Sequence, residues 1–150
     1  MQLLKHARRR RDENGAAALE FALVVPILLP VLIGIVNFGF VFAQQISLNN
    51  AARQAVRYAV VDGRTCGQIK SEGQNSAGTV GMTTAPIPVV TNCGSDSSVT
   101  PCKGTTAGTN ITVTMTGTGP SHEWAVTAPP FNFIPVPTLQ GTGVMRCEFS

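Results

Sequence analysis

Residues 8–43 read RRRRDENGAAALEFALVVPILLPVLIGIVNFGFVFA, and this stretch decides the architecture. A charged run ends at Gly15, an apolar run follows, and Glu20 is the only charge near its start. Residues 21–43 carry no ionisable side chain, and Asn37 is the only strongly polar residue among them. As a helix they would extend about 34 Å, against a hydrocarbon core of about 30 Å. The pattern predicts a membrane span rather than a buried core helix.

Moving towards the N-terminus, residues 1–15 hold Lys5 and four arginines against Asp12 and Glu13, which accounts for the whole net charge of +3. Beyond Gly15 the six basic and six acidic residues balance. A basic flank stays on the cytoplasmic side, so the C-terminal part is expected to face outward. The basic balance belongs to the leader and gives no footprint for nucleic acid, because no basic patch interleaved with aromatics exists.

Moving towards the C-terminus, AQQISLNNAARQAVRYAVVDG contains no helix breaker before Asp62 and Gly63. Gln45, Asn49, Arg53 and Arg57 recur every four positions, while Leu48, Ala52, Ala55 and Ala59 line another face. This is an amphipathic helix, expected from about residue 16 to residue 61 and stopped at Gly63. The chain then turns rich in Thr, Ser, Gly and Pro. Residues 65–85 and 92–108 read as loop, and residues 87–90 as a short strand. Ile111, Val113 and Met115 alternate with threonines, the clearest strand signal in the chain. Trp124, Val126 and residues 131–136 supply apolar mass between prolines, and residues 144–149 suggest a last strand. The expected fold class is α+β: a long N-terminal transmembrane helix, then a small, irregular, β-rich extracytoplasmic domain. Its parts are a leader (1–15), a span (16–43), an extracytoplasmic continuation of the helix (44–62) and the β-rich domain (63–150).

Cys66, Cys93, Cys102 and Cys147 all lie beyond the span. In an oxidising compartment they make two disulfides with three possible pairings. The local pair Cys93–Cys102, with Cys66–Cys147, is the expected one. Such bridges would support a domain of thin apolar content. A zinc site is disfavoured: there is no C-x-x-C, and His6 and His122 lie far from any ligand spacing.

Several features have competing readings. Gly15 suits a protease cut before Ala16, because glycine offers an accessible extended backbone. Glu20 costs roughly 2–3 kcal/mol at a bilayer centre and less near the interface, so it calls for a partner; otherwise it snorkels at the interface of an ordinary signal anchor. Val41-Phe42-Ala43 fits a signal-peptidase site that would release a protein starting at Gln44, but the apolar region is about twice the usual length. Asp12-Glu13-Asn14 after the arginines does not fit a twin-arginine signal. Pro26 and Pro30 each remove a helix hydrogen bond and predict a kink or a loosened turn, which membrane helices also tolerate. Arg53, Arg57 and Tyr58 either contact lipid headgroups, meet acidic groups on a partner, or form a solvated face. Ser121-His122-Glu123 has no nucleophile motif around it, and no constellation of paired carboxylates, metal ligands or activated nucleophile marks an enzyme.

The junction at Gly15 resembles the N-terminus of bacterial type IV pilins and pseudopilins, which are cut after the glycine and keep a glutamate as fifth mature residue. More specifically, residues 15–60 resemble the TadE family of the tight-adherence (Flp) pilus machinery. Gly15, Glu20, Phe21, Pro26, Phe38, Gly39, Ala52, Arg53, Arg57, Tyr58 and Ala59 match its pattern, and Gly143-Val144-Met145-Arg146 resembles its closing strand. Ala55 stands where many members carry glycine, and Pro30 is an additional proline. The resemblance implies a non-enzymatic, single-pass minor pseudopilin of the bacterial inner membrane, with its N-terminus cytoplasmic. The chain length fits a TadE-like member better than the longer TadG type. Its implied partners are membrane lipid, a prepilin peptidase that cuts between Gly15 and Ala16, other pilin subunits and the assembly platform. Glu20, beside Phe21, would neutralise a neighbouring subunit's terminal amine and so set register. No cofactor, small-molecule substrate or nucleic acid is implied. The alternative is an unprocessed signal-anchored envelope protein that interacts through its outer domain.

Overall fold

The computed structural model describes residues 3–78, 84–117 and 138–148, with side chains from residue 15 onward. Its elements are helix α1 (Leu3–Ala59), helix α2 (Cys66–Ser76) and strands β1 (Ile87–Val90), β2 (Asn110–Thr116) and β3 (Gln140–Arg146). The long helix and the small antiparallel sheet are the α+β arrangement expected. Trp124, Val126, residues 131–136, Ser121-His122-Glu123 and Phe149 lie outside the described residues.

The chain divides into two compact units, Met1–Phe38 and Gly39–Ser150. In the first, α1 starts at Leu3 rather than near residue 16. Leu, Lys, Ala, Arg and Glu dominate its opening turns, and these are strong helix formers. One interior glycine costs only about 1 kcal/mol relative to alanine, too little to stop the helix at Gly15.

In the second unit, Leu48, Ala51, Ala52, Ala55, Val56 and Ala59 are all buried. Their spacing of three and four residues is one helical stripe, and it contains the face anticipated from Leu48, Ala52, Ala55 and Ala59. The stripe covers a three-stranded sheet of order β1-β2-β3, antiparallel throughout. Ile111, Val113 and Met115 of β2 are fully buried, while the threonines between them are half-buried. β3 spans residues 140–146 rather than 144–149. Its Gly141 and Gly143 face the helix: a Cβ on Gly141 would overlap the Leu48 carbonyl, and one on Gly143 would lie 2.6 Å from the Ala52 oxygen. The alanine stripe and the two glycines therefore bring helix and strand backbones into direct contact.

Helix α2 stands where a loop was expected. Its N-cap is Thr65, whose hydroxyl accepts the Gln68 N–H at 3.5 Å while the Gln68 side chain accepts the Thr65 N–H at 3.2 Å. This is a reciprocal capping box. The Cys66 N–H donates to the Val99 carbonyl and the Gly67 N–H to the Ser97 carbonyl, at 2.7 and 2.9 Å. The first donors of the helix are thus satisfied by a neighbouring loop. That loop is tightened by Asp96, which accepts both the N–H and the hydroxyl of Ser98. These bonds hold the Asp96 carboxyl below its ordinary pKa. Removing the cap by Thr65→Ala should cost about 1 kcal/mol, whereas Thr65→Ser should be nearly neutral. Thermal unfolding of the two variants checks this, and equal melting would show the cap to be dispensable.

The disulfides are Cys66–Cys93 and Cys102–Cys147, with Cα separations of 5.7 and 5.6 Å. The expected pairing of Cys93 with Cys102 and Cys66 with Cys147 is therefore corrected. The physical reason is α2: its first turn is fastened by Val99 and Ser97, which sets Cys66 against the turn after β1. Cys102 is left for Cys147 at the end of β3.

Candidate functional site: the apolar helix and its cationic end

Glu20 is exposed and is the only ionisable residue between Gly15 and Arg53. Around it the apolar side chains are open: Leu19, Phe21, Leu23, Val24, Ile27 and Leu28 are all more than half exposed. Helix α1 from Gly15 onward is long and apolar enough to cross a membrane once. In water such a surface is unstable, so it needs lipid or other apolar helices against it. Ala16 and Glu20 are four residues apart and share a helix face.

Gly15 is helical, and the extended backbone expected at the cut is not its conformation here. Helix α1 also continues through Pro26 and Pro30. Proline has no N–H, so the carbonyls of Ala22 and Pro26, each four residues earlier, lack their intrahelical donors. Two successive positions on one side of the span are therefore locally weakened.

At the other end, Arg53 and Arg57 are exposed on one helical face, and Arg57 lies in the last turn, where a cation suits the helix dipole. They line a groove with Val56 and with Thr142, Gly143, Val144 and Met145 of β3. Tyr58 does not join them: it packs against the core and is covered by the Arg64 guanidinium at 4.4 Å from the ring centre, a cation–π contact. The sequence reading grouped Arg53, Arg57 and Tyr58, missed Arg64, and did not place its last strand, put at residues 144–149, beside the arginines. The usable signal for β3 was Gly141-Thr142-Gly143, a pair of glycines on one face of an alternating segment.

Residues 15–57 match the family model described as TadE-like protein. Neither the curated proteins nor the solved structures include a match to this chain. The matched segment begins on Gly15, contains Glu20, Pro26 and Pro30, and ends on Arg57. TadE-like proteins are a pilin-type structural family associated with Tad pili. Over this helical segment, residues 15–57, the chain is similar to the TadE-like family.

Proposed function

We propose that this protein is a single-span minor pseudopilin that serves assembly of a tight-adherence (Flp, type IVb) pilus. The observation that carries the reading is the family match beginning on Gly15, with Glu20 as the lone charge in the apolar stretch that follows. The basic leader stays in the cytoplasm. A prepilin peptidase cuts between Gly15 and Ala16, opening the helix locally at a residue without a side chain. The new Ala16 amine starts an apolar helix, and Glu20 of one subunit pairs with the amine of its neighbour. Burying either charge alone in lipid is costly, so the pair favours one stagger between helices. The disulfide-bonded unit lies outside the membrane, in keeping with an oxidising compartment.

The deciding measurement is the intact mass of the membrane-extracted protein, with and without a co-expressed prepilin peptidase. The expected result is a protein starting at Ala16 only when the peptidase is present. A start at Met1 in both cases would instead support an unprocessed signal anchor, a reading that the continuous helix through Gly15 favours. A start at Gln44 would mean a released outer domain. Glu20→Ala should leave cleavage largely intact and impair piliation; wild-type piliation in that variant would remove the pairing role.

A further inference from the structure

We propose that the free edge of β3 is a strand-addition site for an extended, acidic segment of a partner protein. The direction of each backbone group follows from the register. Cys147 N–H donates to the Thr109 carbonyl at 2.9 Å and Gly117 N–H to the Leu139 carbonyl at 3.0 Å. With Val113 opposite Gly143, the alternation of an antiparallel ladder turns the backbone groups of Gly141, Gly143 and Met145 towards β2. Those of Gln140, Thr142, Val144 and Arg146 point the other way. The Gln140 carbonyl accepts from the Gln45 side chain at 2.7 Å. Thr142, Val144 and Arg146 remain, and among the described residues no strand pairs with them.

The opposite edge of the same sheet is protected. Thr91 N–H donates to the Thr112 carbonyl, so Ile87 and Val89 face β2, while Pro88 and Val90 face outward. Pro88 has no N–H, the Val90 carbonyl accepts from Cys93 N–H at 3.4 Å, and the Pro86 carbonyl accepts from Gln74. Natural sheets blunt exposed edges in this way. On β3 there is no proline and no bulge in the register, and Val144 is 54% exposed. An edge left able to pair, beside one that is blocked, is the arrangement that peptide strand addition uses.

Charge selects the occupant. Arg53 and Arg57 line the groove along this edge, no acidic side chain among the described residues lines it, and Arg146 is exposed on the strand itself. Among the described residues these three make no ion pair with one another or with an acid. A second copy pairing β3 against β3 would set the same three arginines against each other, which disfavours it. With the span ending near Ala43, as the sequence suggests, Arg53 and Arg57 would lie 10 and 14 residues past it, or about 15 and 21 Å along the helix, against a headgroup layer about 5–8 Å deep, which disfavours lipid as the occupant. An extended strand with carboxylates on the side of α1 satisfies both the ladder and the Arg53 and Arg57 guanidinium groups, and Arg146, on the other face of β3, adds to the positive field.

The test uses the full chain in neutral detergent and a synthetic heptapeptide alternating valine and aspartate. Controls are its lysine counterpart and an N-methylated aspartate peptide that lacks the ladder donors. The readout is amide hydrogen exchange at Thr142, Val144 and Arg146. The aspartate peptide at millimolar concentration should slow these amides, and the lysine peptide should need about tenfold more, as two exposed ion pairs imply. The N-methylated peptide should fail. Arg53→Glu with Arg57→Glu should reverse the charge preference while leaving the Ile111 and Val113 amides protected, which shows that the sheet is intact. Equal response to both charges, or no response of these amides, overturns the proposal. Protection that rises with protein concentration alone would assign the edge to a second copy, and protection by anionic phosphatidylglycerol micelles would assign it to lipid; either overturns it too. Nothing here depends on cleavage after Gly15.

Discussion

Gly141→Ala should open the C-terminal unit, at a cost of about 3 kcal/mol or more. The added Cβ would fall on the backbone of Leu48 and Asn49, not on a movable side-chain end. Backbone atoms in a helix cannot step aside singly, so β3 and α1 have to separate. Separation opens the core to which Ile111, Val113 and Met115 of β2, all fully buried, belong. Overpacking a well-filled core costs typically 1–3 kcal/mol, and here the clash is with main chain on both sides. Gly143→Ala meets the Ala52 oxygen at 2.6 Å and should be milder. Gly39→Ala lies in the same unit and meets nothing within 4 Å, so it should be harmless. Hydrogen exchange at the Val113 amide reads the result: a loss of 3 kcal/mol corresponds to roughly 150-fold faster exchange through opening. Unchanged exchange in Gly141→Ala would mean that helix and strand do not approach as described.

The same contact explains what the sequence disclosed and what it withheld. The helical stripe was legible because Leu48, Ala52, Ala55 and Ala59 recur at helical spacing. β2 was legible because Ile111, Val113 and Met115 alternate strictly with threonine. β3 was placed late because Gly141 and Gly143 carry no side chain to give a strand signal; that lack is meaningful only once the helix lies over them. Helix α2 was missed for a related reason. It contains Gly67, Gly73 and three serines or asparagines, which are poor helix formers. Its buried face is only Cys66, Ile69 and Gly73. Tertiary contact makes up the difference: a Cβ on Gly73 would lie 2.9 Å from the Met115 sulfur. The one local signal was Thr65 followed three residues later by Gln68, a capping-box pattern. Having missed α2, sequence reasoning had no reason to prefer Cys93 over Cys147 as the partner of Cys66. At the membrane end the residues themselves were informative, since Gly15, Glu20, Pro26 and Arg57 all lie in the segment that matches the family.

The second large effect concerns the disulfides, and its pattern tests the fold as well as the stability. The bridges close loops with separations of 27 and 45 residues. Loop-closure entropy then predicts roughly 3.5 and 4 kcal/mol respectively. Those are large fractions of the 5–15 kcal/mol that usually holds a domain together. The two loops do not overlap in sequence. The first encloses α2 and β1, and the second encloses β2 and β3. Replacing Cys66 and Cys93 by alanine should therefore release exchange mainly in α2 and β1. Replacing Cys102 and Cys147 should release β2 and β3, and with them α2 and β1, because β2 is the strand to which β1 is bonded. The asymmetry is the informative part: β2 supports both neighbours, so the longer loop governs the whole sheet and the shorter one only its margin. Non-reducing peptide mapping should recover Cys66 joined to Cys93 and Cys102 joined to Cys147. A Cys93–Cys102 link would contradict the position of α2, and equal global unfolding by both double variants would contradict the central role of β2.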